Sequence, residues 1–305
     1  MTASSPIEIG SRIVVVGAGT MGRGIALAAA ASGLHVHVVD PNAEVLAGAA
    51  DFIAGRVESL STRLGAPAGR TSYGRDLGAA LRDTAQRENG APVAAVIEAV
   101  PEQAALKCQI FATMAESADP ATLLASNTST MSIADLAGAA GDSDRVIGMH
   151  FFNPAHRMQL VEVVTAPTTG DAARADALQL CRILHKDAIV VADAPGFVTS
   201  RLGLLLGNEA MRIVADGIAS AADVDKAMRL GYNHPMGPLE LADLVGLDAR
   251  LNNLRSVTAR MGRPEFEPPQ ILVDLVAAGK LGRKSGEGFY RYDDEGHIDA
   301  AAPAT

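Results

Sequence analysis

The run Arg12-Ile-Val-Val-Val-Gly17-Ala-Gly19-Thr-Met-Gly22 sets the architecture of this 305-residue chain. Its β-branched opening reads as a short buried strand. The glycine-spaced turn leads into a helical stretch, Arg23 to Ser32, that Gly33 ends. Leu34 to Val39 makes a second strand closing on Asp40, 18 residues after Gly22. Strand, glycine turn, helix and strand ending in an acid form one βαβ unit.

Each part of that unit has a physical task. Gly17 permits the tight strand-to-helix turn, Gly19 lets the backbone approach a pyrophosphate, and Gly22 lets the helix pack against the strand. The helix N-terminus offers unpaired N–H groups and a positive dipole end to the phosphates, and Thr20 and Met21 of the turn leading into it join the cofactor-binding set. Asp40 is placed to accept hydrogen bonds from the adenosine ribose hydroxyls. An acid there repels a 2′-phosphate, so the expected cofactor is NAD rather than NADP.

Beyond Asp40, Ala43 to Leu64 reads as one long helix, and Gly65 to Gly90 as loop with helical propensity from Leu77 to Arg87. Val93 to Val100 is a buried strand, Glu102 to Ser117 a helix, Thr122 to Ser126 a strand and Ser132 to Ala137 a short helix. Strands follow at Arg145 to His150 and Leu160 to Val164, then a helix from Asp171 to Leu184 and a strand from Ala188 to Val191. The alternation stops near Ala192. From Pro195 the pattern is helical: Phe197 to Asp216, Ala221 to Leu230, Pro238 to Met261 and Pro269 to Ala278. The Ala-rich tail after Tyr292 is expected to fray. The fold class is therefore α/β, with an N-terminal Rossmann-type doubly wound sheet over residues 1–192 and an all-helical C-terminal domain over 193–305.

Composition narrows the partners. Hydrophobic residues make up 48% and charged ones 20%, the balance of a soluble globular chain. A formal net charge of -9 disfavours a nucleic-acid backbone or an anionic membrane surface. Cys108 and Cys181 stand far apart without metal-ligand spacing, so neither a disulfide framework nor a metal site is expected. Met1 to Gly10 has no signal pattern, and no apolar run approaches the ~20 residues of a membrane span. The expected setting is the cytoplasm.

A second stretch bears the chemistry. Gly148-Met-His150-Phe-Phe-Asn-Pro-Ala-His-Arg-Met-Gln-Leu-Val-Glu162-Val puts an imidazole at the end of one apolar run and a carboxylate inside the next. Two neighbouring strands would point them at each other. A carboxylate bonded to one ring nitrogen fixes the tautomer and raises the basicity of the other, which makes a general base.

These segments belong to a longer series: Gly17-Ala-Gly-Thr-Met-Gly22, Val96-Ile-Glu-Ala-Val-Pro-Glu102, Ser126-Asn-Thr-Ser-Thr130, His150-Phe-Phe-Asn-Pro154, Pro195-Gly-Phe197, His234-Pro-Met-Gly-Pro-Leu-Glu-Leu-Ala-Asp243 and Gly282-Arg-Lys-Ser-Gly-Glu-Gly-Phe-Tyr290. Through them the chain resembles the L-3-hydroxyacyl-CoA dehydrogenases, 3-hydroxybutyryl-CoA dehydrogenases included, from Arg12 to Tyr292. The resemblance implies an NAD-dependent enzyme that oxidises a 3-hydroxyacyl thioester, or runs the reverse. It assigns proton removal from the substrate hydroxyl to His150, orientation of that imidazole to Glu162, and hydride transfer to the nicotinamide. Ser129 becomes a donor to the reacting oxygen and Asn127 helps hold the site. Glu102 and Lys107 match positions near the nicotinamide side of the cofactor. The family's C-terminal helices form a homodimer interface, which implies a homodimer here.

Two departures bear on the substrate. Where the family carries Asn before Arg to contact the substrate carbonyl oxygen, this chain has Ser200 before Arg201, a shorter side chain with a single donor. Where the family's helical excursion carries Lys, the span Ala43 to Gly90 has none; its cations are Arg56, Arg63, Arg70, Arg75, Arg82 and Arg87. Such an Arg face suits the phosphates of CoA. It suits equally an acyl group tethered to an acidic acyl carrier protein, and a free polyol acid, as in the gulonate dehydrogenase relatives, is a third substrate class. The catalytic Lys of β-hydroxyacid dehydrogenases has no counterpart from Pro195 to Glu209. A non-catalytic dinucleotide-binding protein would bind NAD without turnover; the presence of both His150 and Glu162 argues against it. His234, before Pro235, reads as a turn histidine.

Overall fold

A computed structural model of the protein describes residues 7–82, 92–141 and 143–299. It divides into two compact units that meet in sequence between Ala194 and Pro195. The first contains β1 (Arg12–Val16), α1 (Thr20–Ala31), β2 (His35–Val39), α2 (Ala43–Ala54), α3 (Val57–Leu64), β3 (Thr71–Gly74), α4 (Leu77–Arg82), β4 (Ala95–Glu98), α5 (Ala104–Ser117), β5 (Leu123–Ser126), α6 (Ile133–Ala139), β6 (Val146–Phe151), β7 (Leu160–Thr165), α7 (Asp171–Ile183) and β8 (Asp187–Ala192).

The strands form one sheet in the order β3-β2-β1-β4-β5-β6-β7-β8. β1 pairs in parallel with β2 and β4, so that Val14 lies opposite His37 on one side and Val96 on the other. Strands buried on both faces carry runs of Val and Ile rather than an alternating pattern, which is what β1 shows. α1 packs into the same core with Ile25, Leu27 and a run of buried alanines. Full burial of a side chain the size of Ile or Leu contributes about 1.5–3 kcal/mol.

Strand order reverses between β1 and β4: the chain runs outward to β2 and β3 on one side, then to β5 and β6 on the other. At such a switch point the loops leaving the strand carboxyl ends diverge and open the crevice in which α/β sheets bind ligands. β6 and β7 pair antiparallel. The loop 152–159 between them is too short for a crossover, so the chain turns straight back. His150 and Glu162 thereby become direct cross-strand neighbours.

The helix expected over 43–64 is two helices. Gly55 caps α2, and Arg56, at φ −135°, leaves helical geometry before α3 begins. The expected loop after Gly65 contains β3, which adds an outer parallel strand with Tyr73 opposite Val38. Only four half-buried residues long, β3 has no hydrophobic signature to announce it. Of the helix expected at 77–87, Leu77–Arg82 is α4 and the remainder lies outside the described residues.

The second unit packs α8 (Thr199–Ala215), α9 (Ala221–Tyr232), α10 (Pro238–Val245), α11 (Leu247–Met261) and α12 (Gln270–Ala277) around Leu204, Met211, Leu239, Leu254, Phe266 and Phe289. α10 and α11, expected as one helix, part at Gly246, whose φ of +101° suits glycine. Asp225 accepts the Leu239 and Glu240 N–H groups at the start of α10 and the Tyr290 hydroxyl, each at 2.8 Å. Asp243 accepts the Phe289 and Tyr290 N–H groups and the Tyr292 hydroxyl, each at 3.0 Å. Buried acids satisfied in this way clip the C-terminal segment onto the helices. The tail expected to fray after Tyr292 folds back as far as residue 299: Tyr292 bridges to Ile298, and the Asp299 N–H donates to the Arg291 carbonyl at 2.8 Å.

Candidate active site

The glycine loop between β1 and α1 is a cradle by steric necessity. Gly17 sits at φ +95°, and a Cβ there would meet the Ala99 carbonyl oxygen at 2.7 Å. A Cβ on Gly22 would lie 1.8 Å from the Gly17 carbonyl oxygen. At Gly19, by contrast, a Cβ would meet nothing among the described residues within 4 Å, so the backbone stays open where a pyrophosphate approaches. Gly19 is the N-cap of α1 and offers no side chain to the first turn, which leaves the N–H groups of Thr20 and Met21 for an anion. Asp40 lies just past β2. Its Oδ2 accepts the Ala18 N–H and its Oδ1 the Asn42 N–H, both at 2.9 Å, which pins the carboxylate beside the loop. Each oxygen keeps lone-pair capacity for a ribose hydroxyl. These residues fit a dinucleotide.

Along the same sheet, His150 Nδ1 lies 2.7 Å from Glu162 Oε2. Glu162 is 0% exposed and His150 8%. Burial strengthens such a charge-assisted contact, because water does not compete for either partner. The Phe152 ring tilts against the imidazole at 4.7 Å between centroids. Asn127, just past β5, accepts the Phe151 N–H through Oδ1 at 2.9 Å and donates its own N–H to the Glu98 carbonyl at 2.8 Å. The ends of β4, β5 and β6 are tied together next to the histidine.

A third cluster holds the loop after β5. Glu102 Oε1 accepts the Thr128 hydroxyl, the Ser129 N–H at 3.3 Å, the Thr130 N–H at 3.2 Å and the Thr130 hydroxyl at 3.0 Å. Its Oε2 lies 3.1 Å from Lys107 Nζ. Burial pushes the Glu102 carboxyl up, but the Lys107 ammonium and the Thr128 hydroxyl outweigh it and hold the group below the ordinary carboxylate range. Lys107 is 1% exposed and donates also to Glu98 Oε1 at 2.7 Å and to the Val100 carbonyl at 3.2 Å. Glu98, fully buried, accepts the Val100 N–H and the Ser126 hydroxyl, both at 2.7 Å.

Glu102 and Lys107 were expected near a cofactor; Glu98, Ser126, Thr128 and Thr130 were not foreseen. The available signal was Glu98 itself, an acid inside the apolar run Val96-Ile-Glu98-Ala, which a buried strand tolerates only with a partner. Ser129 is half-buried in this loop. Ser200 lies in the first turn of α8, also half-buried, in the second unit.

A family model described as "3-hydroxyacyl-CoA dehydrogenase, NAD binding domain" matches residues 12–194, and one described as "3-hydroxyacyl-CoA dehydrogenase, C-terminal domain" matches residues 196–292. The chain belongs to the 3-hydroxyacyl-CoA dehydrogenase family. It is an NAD-dependent oxidoreductase. This family member is 38% identical over 285 residues to a probable 3-hydroxybutyryl-CoA dehydrogenase of Bacillus subtilis, which covers 93% of the chain and 98% of that protein. It is 40% identical over 292 residues to the 3-hydroxybutyryl-CoA dehydrogenase of Mycobacterium tuberculosis, covering 92% and 98%. Among solved structures, (S)-3-hydroxybutyryl-CoA dehydrogenase PaaH1 of Ralstonia eutropha matches with a TM-score of 0.83 at 35% identity, covering 93% of the chain and 99% of that structure. The division between the two family domains falls where the two compact units of this dehydrogenase meet in sequence.

Proposed function

We propose that the protein interconverts 3-hydroxyacyl-CoA and 3-oxoacyl-CoA, with His150 as general base and Glu162 as its orienting partner. The observation that carries this reading is the buried 2.7 Å contact between His150 Nδ1 and Glu162 Oε2. With Nδ1 engaged by the carboxylate, Nε2 takes the proton of the substrate hydroxyl. The imidazolium that forms gains a buried counter-charge, so the pair stabilises the transition state more than the ground state. NAD, held along Gly17, Gly19, Thr20, Met21, Gly22 and Asp40, supplies when bound the acceptor for the hydride that leaves the carbinol carbon. The Ser129 hydroxyl donates to the reacting oxygen. Asn127 steadies β6 through the Phe151 N–H. Ser200 stands where the family's Asn contacts the acyl carbonyl, and its shorter side chain leaves room for a water or a bulkier acyl group.

Cations of the first unit support a phosphate-bearing substrate. Arg23 and Arg56 both lie over the Phe52 ring, at 4.6 and 4.3 Å from its centroid. Burial, followed by the charges of Arg157, Lys186, Arg56 and Arg63, holds the His156 pKa below its ordinary value. That concentration of charge suits CoA phosphates. The test is turnover of acetoacetyl-CoA with NADH, followed by nicotinamide absorbance. The same acyl group on an acyl carrier protein and a free polyol acid are run beside it. Turnover of the CoA ester is expected; activity confined to either alternative overturns the substrate, and NADH binding without turnover of any overturns the roles of His150 and Glu162.

We further propose a homodimer formed through the helical unit. Leu202, Leu206, Leu230, Tyr232, Leu241 and Leu244 are exposed there, and apolar side chains concentrated in this way mark interfaces. No described helix is long and apolar enough to cross a membrane. The free thiols Cys108 and Cys181 suit a reducing compartment, the cytoplasm.

A further inference from the structure

We propose that Asp193 is a positioning residue for this reaction. Its carboxylate ties the stretch of chain that leads into the helical unit onto the loop that carries Ser129, without touching substrate or cofactor. The inference rests on the dehydrogenase reading given above, with Ser129 at the reacting oxygen and Ser200 at the acyl carbonyl.

Asp193 directly follows β8, and its N–H donates to the carbonyl of Thr165, the last residue of β7, at 2.9 Å. Its side chain reaches far back along the sequence. Oδ2 accepts the Ser132 hydroxyl at 2.7 Å and the Ala134 N–H at 2.9 Å. Ser132 is the N-cap of α6, and its Oγ accepts the Asp135 N–H at 3.3 Å. A single cap side chain leaves other N–H groups of a first turn unpaired, and Asp193 takes one of them. Oδ1 is buried and meets no partner among the described residues, so both side-chain bonds go to the start of α6.

Both ends of this contact lead to groups that face the substrate. Just before Ser132 lies the tight turn 128–131. There Thr128 Oγ1 accepts the Thr130 N–H at 3.3 Å and the Met131 N–H at 2.9 Å, so Ser129 moves with the start of α6. Just after Asp193, the second unit begins at Pro195, and Ser200 follows in the first turn of α8. The backbone between them is confined. Pro195 fixes its own φ, Gly196 lies at φ +73° and Phe197 at φ +46°. A bulky residue stays in the left-handed region only where its surroundings over-determine it. Phe197 is buried, and the Gly196 carbonyl accepts the Arg201 N–H at 2.8 Å, which fixes the downstream side. Asp193 fixes the upstream side.

What the position requires is an acceptor. Two donors converge on one oxygen while the other oxygen receives none. An Asn with its carbonyl oxygen where Oδ2 lies keeps both bonds; an Ala loses both and strands the Ser132 hydroxyl and the Ala134 N–H. The two groups that Asp193 places act at different points of the reaction. Misplacing Ser129 lowers kcat, because that hydroxyl works at the reacting oxygen. Misplacing Ser200 raises KM, because that hydroxyl holds the acyl carbonyl in ground state and transition state alike.

The experiment compares full-length wild type with Asp193→Ala, Asp193→Asn, Ser132→Ala, Ser129→Ala and the double variant Ser129→Ala/Asp193→Ala. Each is assayed for acetoacetyl-CoA reduction, for NADH affinity by fluorescence titration and for Tm. Asp193→Ala is expected to lower kcat about tenfold and to raise the KM for acetoacetyl-CoA about threefold. NADH affinity should stay close to that of wild type, because the glycine loop and Asp40 are untouched. Asp193→Asn, which keeps both bonds, should recover most of the loss in both constants. Ser132→Ala removes one bond of the two, keeps the fold and should move both constants the same way by a smaller factor. In the Ser129→Ala background, removing Asp193 should lower kcat by less than about twofold while KM still rises. Wild-type kcat and KM in Asp193→Ala and Ser132→Ala, with Tm alone lowered, overturn the proposal and leave a helix cap. Losses of kcat that multiply in the double variant overturn it as well, because Asp193 then acts apart from Ser129. Asp193→Asn as slow as Asp193→Ala overturns it too, since charge and not the two bonds is then required. NADH affinity falling in step with kcat does the same, the first unit having come apart as a whole. Absence of turnover in wild type removes the dehydrogenase reading on which the proposal stands, whereas failure of the proposal alone leaves wild type active.

Discussion

Replacing Glu162 with Gln removes the charge and keeps the shape. Glu162 is fully buried, and its Oε2 lies 2.7 Å from His150 Nδ1 across the β6–β7 pair. A hydrogen bond to a charged group contributes about 1.5–3 kcal/mol. If that much stabilisation of the imidazolium disappears, kcat falls about 10- to 150-fold, at ~1.4 kcal/mol per factor of ten. A Gln that turns its amide NH2 toward Nδ1 adds a second loss. Nδ1 then accepts, the proton moves to Nε2, and the base is left in the wrong tautomer; the equivalent Asp-to-Asn change in a serine-protease triad costs about 10⁴. The expected fall in kcat is therefore about 10²–10⁴, with NADH affinity unchanged. Single-turnover oxidation of NADH by acetoacetyl-CoA reads it, with His150→Gln and the double variant in parallel. Because the two side chains act as one unit, the double variant should be no slower than His150→Gln alone. A Glu162→Gln enzyme as fast as wild type, or a double loss equal to the product of the singles, would refute the general-base pair.

Three further outcomes follow from the same geometry. Asp40→Ser should raise kcat/KM with NADP relative to NAD by about tenfold, ~1.4 kcal/mol, because the carboxylate fixed by the Ala18 and Asn42 N–H groups no longer repels a 2′-phosphate; an unchanged ratio places the ribose elsewhere. Gly22→Ala drives a methyl group to 1.8 Å from the Gly17 carbonyl, backbone that has no room to swing aside. Overpacking of this kind costs about 1–3 kcal/mol and should lower Tm by roughly 2–10 °C, so an unchanged Tm contradicts the packing. Burial pushes the Asp243 carboxyl up to about 6 from the ordinary 3.8. A folded-state value above the unfolded one means the folded unit holds that proton more tightly. This group therefore adds stability as pH falls through 6 toward 3.8 and withdraws it as pH rises through 6. Denaturant unfolding at pH 7 and pH 5 should show wild type gaining ~1 kcal/mol relative to Asp243→Asn, and a loss on acidification would overturn the sign.

What the sequence made legible was local. The strand, glycine turn, helix and strand ending at Asp40 lie within one short unit, and each signal sits beside the next. His150 and Glu162 are 12 residues apart, joined by a loop that turns straight back, so a strand–turn–strand reading of the sequence alone brings them together. β3 escaped because Thr71–Gly74 is half-buried at every position, with no apolar face for a periodicity to find. The helix breaks at Gly55–Arg56 and Gly246 escaped because a single glycine in a helical pattern is tolerated as readily as it interrupts. Glu98, Ser126, Thr128 and Thr130 escaped for another reason. Their partnership depends on β4 and β5 being adjacent, and adjacency is a property of sheet order that no short window of sequence contains.

That dependence makes the geometry of the site a matter of strand register. Asn127, Ser129, His150 and the Glu98–Lys107–Glu102 cluster gather where β4, β5 and β6 end side by side. Side chains alternate across a strand, so a one-residue slip of β7 against β6 would turn Glu162 to the opposite face and bring Val161 or Val163 opposite His150. The hydrophobic pattern forbids that slip: Val161 and Val163 are both fully buried in the core of the first unit, and a slip would exchange them with a carboxylate. The apolar residues that make β7 a strand thus also select the register that pairs Glu162 with His150. Val161→Thr/Val163→Thr, which weakens that selection while leaving both functional side chains in place, should therefore lower kcat together with stability, whereas the same change at Val190 on the exposed outer strand β8 should leave kcat intact. Equal effects at the two places would mean that something other than register holds the pair.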